Sequence, residues 1–290
     1  MNWARQFFSL MPDLPQGNLG CYQNRGEKMD GDQTREVHIS LAGHVATLEI
    51  DRPPNNHTTP EMIAGLADAL EEFDRNPACR AIVLAARGKH FCAGADLSSR
   101  PQGAGVPRHA GSGQTLYEEA ARLMRTRKPI IAAVHGAAIG AGLGLAVIAD
   151  FRVTCKEARW SANFARMGFH PGFGLSATLP ALIGRQKAAL MMYTGRRLDG
   201  EEALAIGLAD VLVPQPEVRA AAHALAEEIA ASAPLAVMSI RQTLRRDLPN
   251  LFAAATEREF TEQASHRLSA DYAEGVLAMK ERRTPRFTGA

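Results

Sequence analysis

A stretch of 21 uncharged residues between Lys128 and Asp150 restricts what this chain can fold into. Its length suits a membrane-spanning helix, and its glycines recur at the four-residue spacing of packed transmembrane helices. However, Ile130 to Val134 has the pattern of a buried strand, His135-Gly136 that of a turn, and Ala138 to Ala149 that of a helix of small residues. We therefore interpret the stretch as a strand-turn-helix unit inside a core and expect no membrane span.

A second segment has the same design. Ala81 to Ala86 is an apolar strand that leads into Ala93-Gly94-Ala95-Asp96, as the first unit leads into Gly140-Ala141-Gly142. N–H groups at the start of a helix are unpaired donors, and small residues let a ligand approach them. Two such donors aimed at one oxygen would form an oxyanion hole. Either turn taken alone is more often a packing device.

Strands and helices alternate along most of the chain, which predicts an α/β fold with mainly parallel strands. From Pro216 onward the pattern is helical only. We predict an N-terminal extension over 1–33, an α/β core over 34–215 and a C-terminal helical region over 216–290. The predicted strands are 45–50, 81–86, 130–134, 151–154 and 159–162, and the predicted helices of the core are 59–73, 114–127, 175–182 and 185–193.

The composition excludes several classes of protein. With 33 basic and 31 acidic residues the net charge is +2, so nothing electrostatic points to nucleic acid, and 46% hydrophobic residues are too many for disorder. The four cysteines lie far apart, without the spacing of a metal site, and no secretory signal is evident. We predict a cytoplasmic protein that holds no metal. The glycine turns also lack the patterns of dinucleotide-binding and P-loop proteins.

Two segments carry a family resemblance: Phe91 to Leu97, and Val134 to Leu143. Together they resemble the paired signature of the crotonase (enoyl-CoA hydratase/isomerase) family, and the resemblance extends over residues 36–290. It implies a crotonase-like spiral of repeated ββα units with a C-terminal helical region, assembled as a homotrimer or homohexamer. It also implies an acyl-CoA thioester as ligand, with no cofactor beyond the coenzyme A of the substrate.

The resemblance also implies which residues form the site. The thioester carbonyl would accept hydrogen bonds from the N–H groups of Ala95 and Ala141, which form the oxyanion hole. The other positions implied to bind the substrate are Arg52, His57, Ala93, Gly94, Asp96, Leu97, Gly140, Gly144, Phe164 and Gly172.

Three of those positions depart from the family pattern. Hydratases carry glutamates at the places of Gly144 and Phe164, and isomerases carry a carboxylate at the place of Gly172. Standard hydration therefore lacks its acids and bases here. His170 is the candidate substitute, because imidazole titrates in the right range, although a loop histidine can equally bond a backbone carbonyl. Other groups that could face the pocket are His57, Glu118, Glu119 and Arg166.

Two hypotheses follow. The first is a lyase or isomerase of this family that acts on an acyl-CoA by a non-standard route, as a hydrolase, decarboxylase, isomerase or retro-aldol enzyme, with or without His170. The second is a non-catalytic acyl-CoA binding protein that has kept the thioester site and lost the groups that transfer protons.

Overall fold

The computed structural model describes residues 36–95 and 108–290. Its strands are β1 Val37–Ala42, β2 Val45–Ile50, β3 Ala81–Ala86, β4 Ile130–Val134, β5 Ala137–Ile139, β6 Phe151–Thr154, β7 Arg159–Ser161 and β8 Val211–Leu212. Its helices are α1 Pro60–Arg75, α2 Leu116–Leu123, α3 Ala141–Ile148, α4 Leu175–Ile183, α5 Arg185–Thr194, α6 Gly200–Ala205, α7 Val218–Ala230, α8 Pro234–Leu244, α9 Leu248–His266 and α10 Ala270–Lys280, with 3-10 turns at Asn163–Met167 and Gln215–Glu217.

Six strands form the main sheet, in the order β1-β2-β3-β4-β6-β8. All pairs in it are parallel except β1 with β2, which form an antiparallel hairpin at one edge. Strands β5 and β7 make a second, two-stranded parallel sheet. This arrangement confirms the predicted α/β fold with mainly parallel strands. Strand β1 was not among the strands predicted from the sequence.

Helix α1 shows how local sequence sets an element. The side chain of Thr59 accepts a hydrogen bond from the N–H of Met62, and Pro60 is the first helical residue, where the missing N–H costs nothing. The apolar face of the helix is buried, including Met62, Leu66 and Phe73. Helix α2 is shorter than the predicted span of 114–127, because Thr115 and Glu118 form a capping box that starts it at Leu116.

The uncharged stretch folds as a buried unit, but not with the predicted helix over 138–149. Residues 137–139 form β5, in which Ala138 pairs with Trp160 of β7, and the helix begins only at Ala141. This pairing is non-local, so the local pattern could not indicate it. All eight residues of α3 are buried. Among the helices that the structure describes, none is long and apolar enough to cross a membrane.

The C-terminal helices hold the core from two sides. Helix α7 packs on β3, β4 and β6, while α9 packs on α2 and α4. Helix α8 is fastened by two arginines, because Arg241 and Arg245 both form ion pairs with Asp150, the residue that precedes β6. Because it packs on α2 and α4, helix α9 lies next to the candidate site, to which it contributes Gln263.

Candidate functional site

The two turns rich in glycine and alanine lie backbone against backbone. Cys92 donates its N–H to the carbonyl of Ala137 (2.8 Å), and Ile139 donates its N–H to the carbonyl of Cys92 (3.1 Å). Side chains have no room at this contact. A Cβ on Gly142 would overlap the carbonyl oxygen of Cys92, and one on Gly94 would lie 2.8 Å from the carbonyl oxygen of Ile139. Glycine at these positions is what allows the turns to meet.

Ala95 and Ala141, one from each turn, both line a single cleft. Ala141 is the first residue of α3, so its N–H has no acceptor within the helix. Ala95 follows Gly94, whose carbonyl accepts the N–H of Thr58 (2.9 Å). Within residues 36–95 and 108–290, neither alanine N–H donates a hydrogen bond to the backbone. An oxyanion hole needs two such donors aimed at one oxygen, and these two residues are the candidates for it.

The turn at residues 52–57 supports the first of these loops. Ala93 donates its N–H to the carbonyl of Asn55 (3.1 Å), and Nδ1 of His57 lies 3.0 Å from the carbonyl oxygen of Gly94. Nη1 of Arg52 donates to the carbonyl of His57 (3.2 Å), and its Nε is paired with Glu36. Arg52 and His57 therefore fasten loop backbone in this structure, and neither lines the cleft.

The cleft is mostly apolar and contains about 660 Å³ of space free of protein atoms. No carboxylate is among the described residues that line it. Arg267 is the one charged side chain among them, and Tyr117, Asn163 and Gln263 are the uncharged polar ones. The apolar side chains in contact with the cleft are Leu116, Ile139, Phe164, Met167, Phe169 and Phe173, and its small residues are Ala93, Gly94, Ala95, Gly140, Ala141 and Gly172.

The three positions without acids are occupied in different ways. Phe164 is buried, with its ring edge-to-face against Phe169 at 5.4 Å between centroids. Gly144 lies beneath Phe173 and does not line the cleft, since a Cβ there would be 2.6 Å from Cδ1 of that ring. Phe173 takes a left-handed backbone, with φ of 62°, to place its ring there. An aromatic lining thus covers the places where hydratases would carry their glutamates.

Polar atoms lie at the third position. A Cβ on Gly172 would overlap the hydroxyl oxygen of Tyr117 and would be 2.6 Å from Nε2 of Gln263. The hydroxyl donates to Oε1 of Gln263 (2.7 Å), and Nη2 of Arg267 donates to the same oxygen (3.0 Å). Nε2 of Gln263 in turn donates to the carbonyl of His170 (2.9 Å), which fixes the orientation of the amide.

Three polar residues of the cleft, Tyr117, Gln263 and Arg267, were not predicted from the sequence. Tyr117 and Gln263 are 146 positions apart and belong to helices α2 and α9, and no motif joins them. The only local signal was that α2 is amphipathic and that Tyr117 is in its first turn. A polar residue on a helix is ordinarily exposed, so the pattern gave no reason to place these side chains in a cleft.

His170 is not brought to the two turns. Its side chain lines a separate cavity with His266 and the C-terminal residues, and its Nδ1 lies 2.8 Å from the carbonyl oxygen of Pro171. Its N–H donates to Nδ1 of His266 (3.1 Å). The structure thus shows a loop histidine bonded to a backbone carbonyl, which was the alternative to a catalytic role, while its own carbonyl supports Gln263.

The other candidates are also engaged outside the cleft. Glu118 caps α2, and the buried Glu119 pairs with Arg122. The side chain of Arg166 packs against Gly195. Burial raises the pKa of the Cys92 thiol to about 12, so this side chain is neutral and packs as a small apolar group. Asp96 and Leu97 lie outside the described residues.

Buried Glu259 positions the loop that carries Gly172. It accepts hydrogen bonds from the N–H groups of Gly174 (2.7 Å) and Ser176 (2.8 Å) and from the Ser176 hydroxyl (2.6 Å). Burial raises the pKa of this carboxyl above its ordinary value, although these bonds oppose the shift. Glu259 does not line the cleft, so its role is to hold the loop on α9. Elsewhere in the described chain, no three His, Cys, Asp or Glu side chains converge as metal ligands would.

The sequence matches the family model described as enoyl-CoA hydratase/isomerase over residues 41–290. The chain belongs to this family. It is 32% identical to 1,2-epoxyphenylacetyl-CoA isomerase of Escherichia coli over 84% of this chain and 95% of the relative. It is 30% identical to carnitinyl-CoA dehydratase of Proteus mirabilis over 88% of this chain and 99% of the relative.

Solved structures of the family agree with the fold. The chain superposes on an enoyl-CoA hydratase/isomerase from Pseudoalteromonas atlantica with a TM-score of 0.78 and 32% identity, covering 87% of this chain and 100% of that one. The architecture is therefore the crotonase fold, as the sequence predicted. The names of the two relatives describe different reactions, an isomerisation and a dehydration, so family membership fixes the fold and not the chemistry.

Proposed function

We propose that this protein is an enzyme that binds an acyl-CoA thioester in the cleft and stabilises its enolate between the N–H groups of Ala95 and Ala141. The observation that supports the proposal is the contact of the two turns, together with the presence of both alanines in the lining of one cleft. Negative charge that develops on the thioester oxygen would be stabilised by each well-placed donor by about 3 kcal/mol. The apolar lining would hold the acyl chain, and no further cofactor is needed.

The missing carboxylates decide against hydration by two glutamates. We assign proton transfer to the hydroxyl of Tyr117, which lies at the position where isomerases carry their carboxylate. A neutral phenol carries a proton that it can donate, so it can act as an acid and not as a base. Its proton, now given to Gln263, can be aimed at the substrate by rotation about the C–O bond.

A site that has a proton donor and no base favours reactions that form the enolate without removing a proton from the substrate. Decarboxylation generates the enolate without deprotonation: the bond from the α-carbon to the carboxylate breaks, carbon dioxide leaves, and the electron pair moves to the thioester oxygen. Tyr117 would then protonate the α-carbon, and water would return a proton to the phenolate. Isomerisation and hydrolysis each require a base or an activated water, for which the described lining offers no carboxylate.

A panel of thioesters tests this proposal. Saturated, 2-enoyl, 3-enoyl, β-keto and malonyl-type CoA thioesters are assayed for binding and for turnover. We expect binding of several members and turnover of the malonyl type. Tight binding without any turnover would instead identify a non-catalytic acyl-CoA binding protein, and hydration of crotonyl-CoA at ordinary rates would show that the missing glutamates are not needed.

Two substitutions then distinguish the candidate acids. Tyr117→Phe removes only the hydroxyl and is expected to lower turnover by about 10²-fold or more, with little change in binding. Tyr193→Phe is the matched control, because Tyr193 is 80% exposed and lies outside the cleft. His170→Ala distinguishes Tyr117 from His170 as the acid. If His170→Ala lost turnover to a comparable extent while Tyr117→Phe stayed fully active, the acid would be His170.

We further propose a homo-oligomer, a trimer or a dimer of trimers. Helix α8 leaves large apolar side chains exposed on its outer face, with Leu235 78%, Ile240 58% and Leu244 81% accessible. Surface of this kind is typical of an interface between subunits. A cytoplasmic location stays a prediction from the sequence.

A further inference from the structure

Among the described residues, the guanidinium of Arg267 has no anionic partner. Among the described residues that line the cleft it is the only charged side chain, and none of the described carboxylates lies within 4.0 Å of it. Within the same part of the chain, its side chain donates a hydrogen bond only to the uncharged amide of Gln263. Its Nε is shielded from solvent and has no hydrogen-bond partner among the described residues. A buried donor left unsatisfied costs free energy, so this atom indicates a missing acceptor.

The acids nearest in sequence are engaged elsewhere. Glu262 pairs with Arg258, and Glu259 holds the loop at residues 174–176. Asp271 accepts the N–H groups of Thr288 (2.7 Å) and Gly289 (2.9 Å) in the C-terminal tail. None of them is available to neutralise Arg267. An anionic group on a ligand in the cleft would complete this cation.

The position of Arg267 indicates what kind of ligand it is. The side chain shares Oε1 of Gln263 with the hydroxyl of Tyr117, so it lies at the end of the cleft that the acyl group would occupy. The turn at residues 52–57 is bonded to the first glycine loop instead, and its Arg52 and His57 do not line the cleft. The cleft is lined mainly by apolar side chains, and such surroundings strengthen a pair between a guanidinium and a carboxylate.

We propose that Arg267 binds a carboxylate on the acyl group, so that the substrate is the CoA thioester of a dicarboxylic acid. This inference rests on the proposed function and adds its substrate class. Arg267 is the specificity-determining residue, and Gln263 positions it. A planar guanidinium can donate parallel N–H bonds to a carboxylate. In Arg267, Nη2 already donates to Gln263, and the other N–H groups are left for the ligand.

Binding measurements on matched pairs of ligands test the inference. Dissociation constants are measured by calorimetry for glutaryl-CoA against hexanoyl-CoA, for succinyl-CoA against pentanoyl-CoA, and for free CoA. We expect wild-type protein to prefer each dicarboxylic thioester by about tenfold or more, a preference that decreases with added salt. Arg267→Gln should abolish the preference, and Arg267→Lys should retain part of it. Arg258→Gln, on the exposed face of the same helix, should leave it unchanged.

Each alternative result has a distinct meaning. Equal binding of glutaryl-CoA and hexanoyl-CoA by the wild type would overturn the inference and leave the proposed function standing. If Arg267→Gln weakened free CoA and all thioesters by the same factor, the arginine would contact a coenzyme phosphate and the inference would be wrong. If no thioester bound, the proposed function itself would fail. An unchanged melting temperature of the variant confirms that its fold is intact.

Discussion

At the residue scale, Gly144 and Phe173 form one unit. The ring of Phe173 fills the space that a side chain at position 144 would need, since a Cβ at that position would lie only 2.6 Å from Cδ1 of the ring. We expect Gly144→Ala to lower the free energy of unfolding by about 2 kcal/mol, because the ring must shift within a packed core. Thermal and urea denaturation measure this.

The matched control is Gly65→Ala in α1. The nearest heavy atom to a Cβ there is Cγ2 of Val37 at 3.9 Å, an ordinary contact. Alanine is also the better helix former by up to about 1 kcal/mol, so this variant should be as stable as the wild type or more stable. Equal stability of Gly144→Ala and Gly65→Ala would show that Phe173 does not occupy the position described.

Cys92 permits a chemical test of burial. Because burial raises the pKa of its thiol to about 12, the folded protein should carry no thiolate at this position at pH 8. Iodoacetamide requires the thiolate, so we expect mass spectrometry to find Cys92 unlabelled in the native protein and labelled after unfolding in urea. Rapid labelling of Cys92 in the native protein would contradict the packing of the two turns.

At the element scale, Asp150 fastens helix α8 to the sheet. Burial raises the pKa of this carboxyl, but the charges of Arg241 and Arg245, together with hydrogen bonds from Arg241 and the N–H of Ile130, lower it more, so that the net shift is below the usual 3.8. The ionised form is therefore stabilised by folding. That stabilisation is fully present above the usual value and is lost as the pH falls through the lower pKa of the folded state.

Asp150→Asn tests this linkage. At neutral pH it leaves two largely buried arginines without their carboxylate, and we expect a loss of about 3 kcal/mol in the free energy of unfolding. The difference from wild type should shrink as the pH falls below 3.8 and through the lower pKa of the folded state, where wild-type Asp150 also becomes protonated. Asp247→Asn is the control, because its side chain is 73% exposed and its pair with Arg246 is long, at 3.5 Å. A pH-independent difference would refute the assignment.

Elements with a local signal could be predicted from the sequence. Strand β2 is an alternating run, strands β3 and β4 are apolar runs, and Thr59-Pro60 is a local start signal for α1. Strand β5 could not be predicted, because its three residues become a strand only by pairing with β7, 22 residues later in register. The same division holds at the site. The two glycine-rich turns could be predicted because each has a sequence motif. Tyr117 and Arg267 could not, because they come together only when α9 packs on α2.

At the scale of the whole molecule, the outer face of α8 is the surface on which the proposed assembly can be tested. Of the residues described in this helix only Arg241 is buried, while Leu235, Ile240 and Leu244 are more than half exposed. Leaving such side chains in water costs about 25 cal/mol per Å² of apolar surface that an interface would bury. Assembly with other copies of the chain would recover this free energy, and α8 is held rigidly enough by Asp150 to present the face.

Leu244→Glu is the decisive variant, since Leu244 is 81% exposed and a charge there costs the isolated chain little. Light scattering after size-exclusion chromatography should give three or six chains for the wild type and a smaller species for the variant, because a buried unpaired carboxylate opposes association. Ile39→Glu, an exposed site on the edge strand β1, should keep the wild-type mass. A monomeric wild type, or an unchanged mass for Leu244→Glu, would show that α8 is not the interface. If the smaller species still binds thioesters, the cleft is complete within one chain.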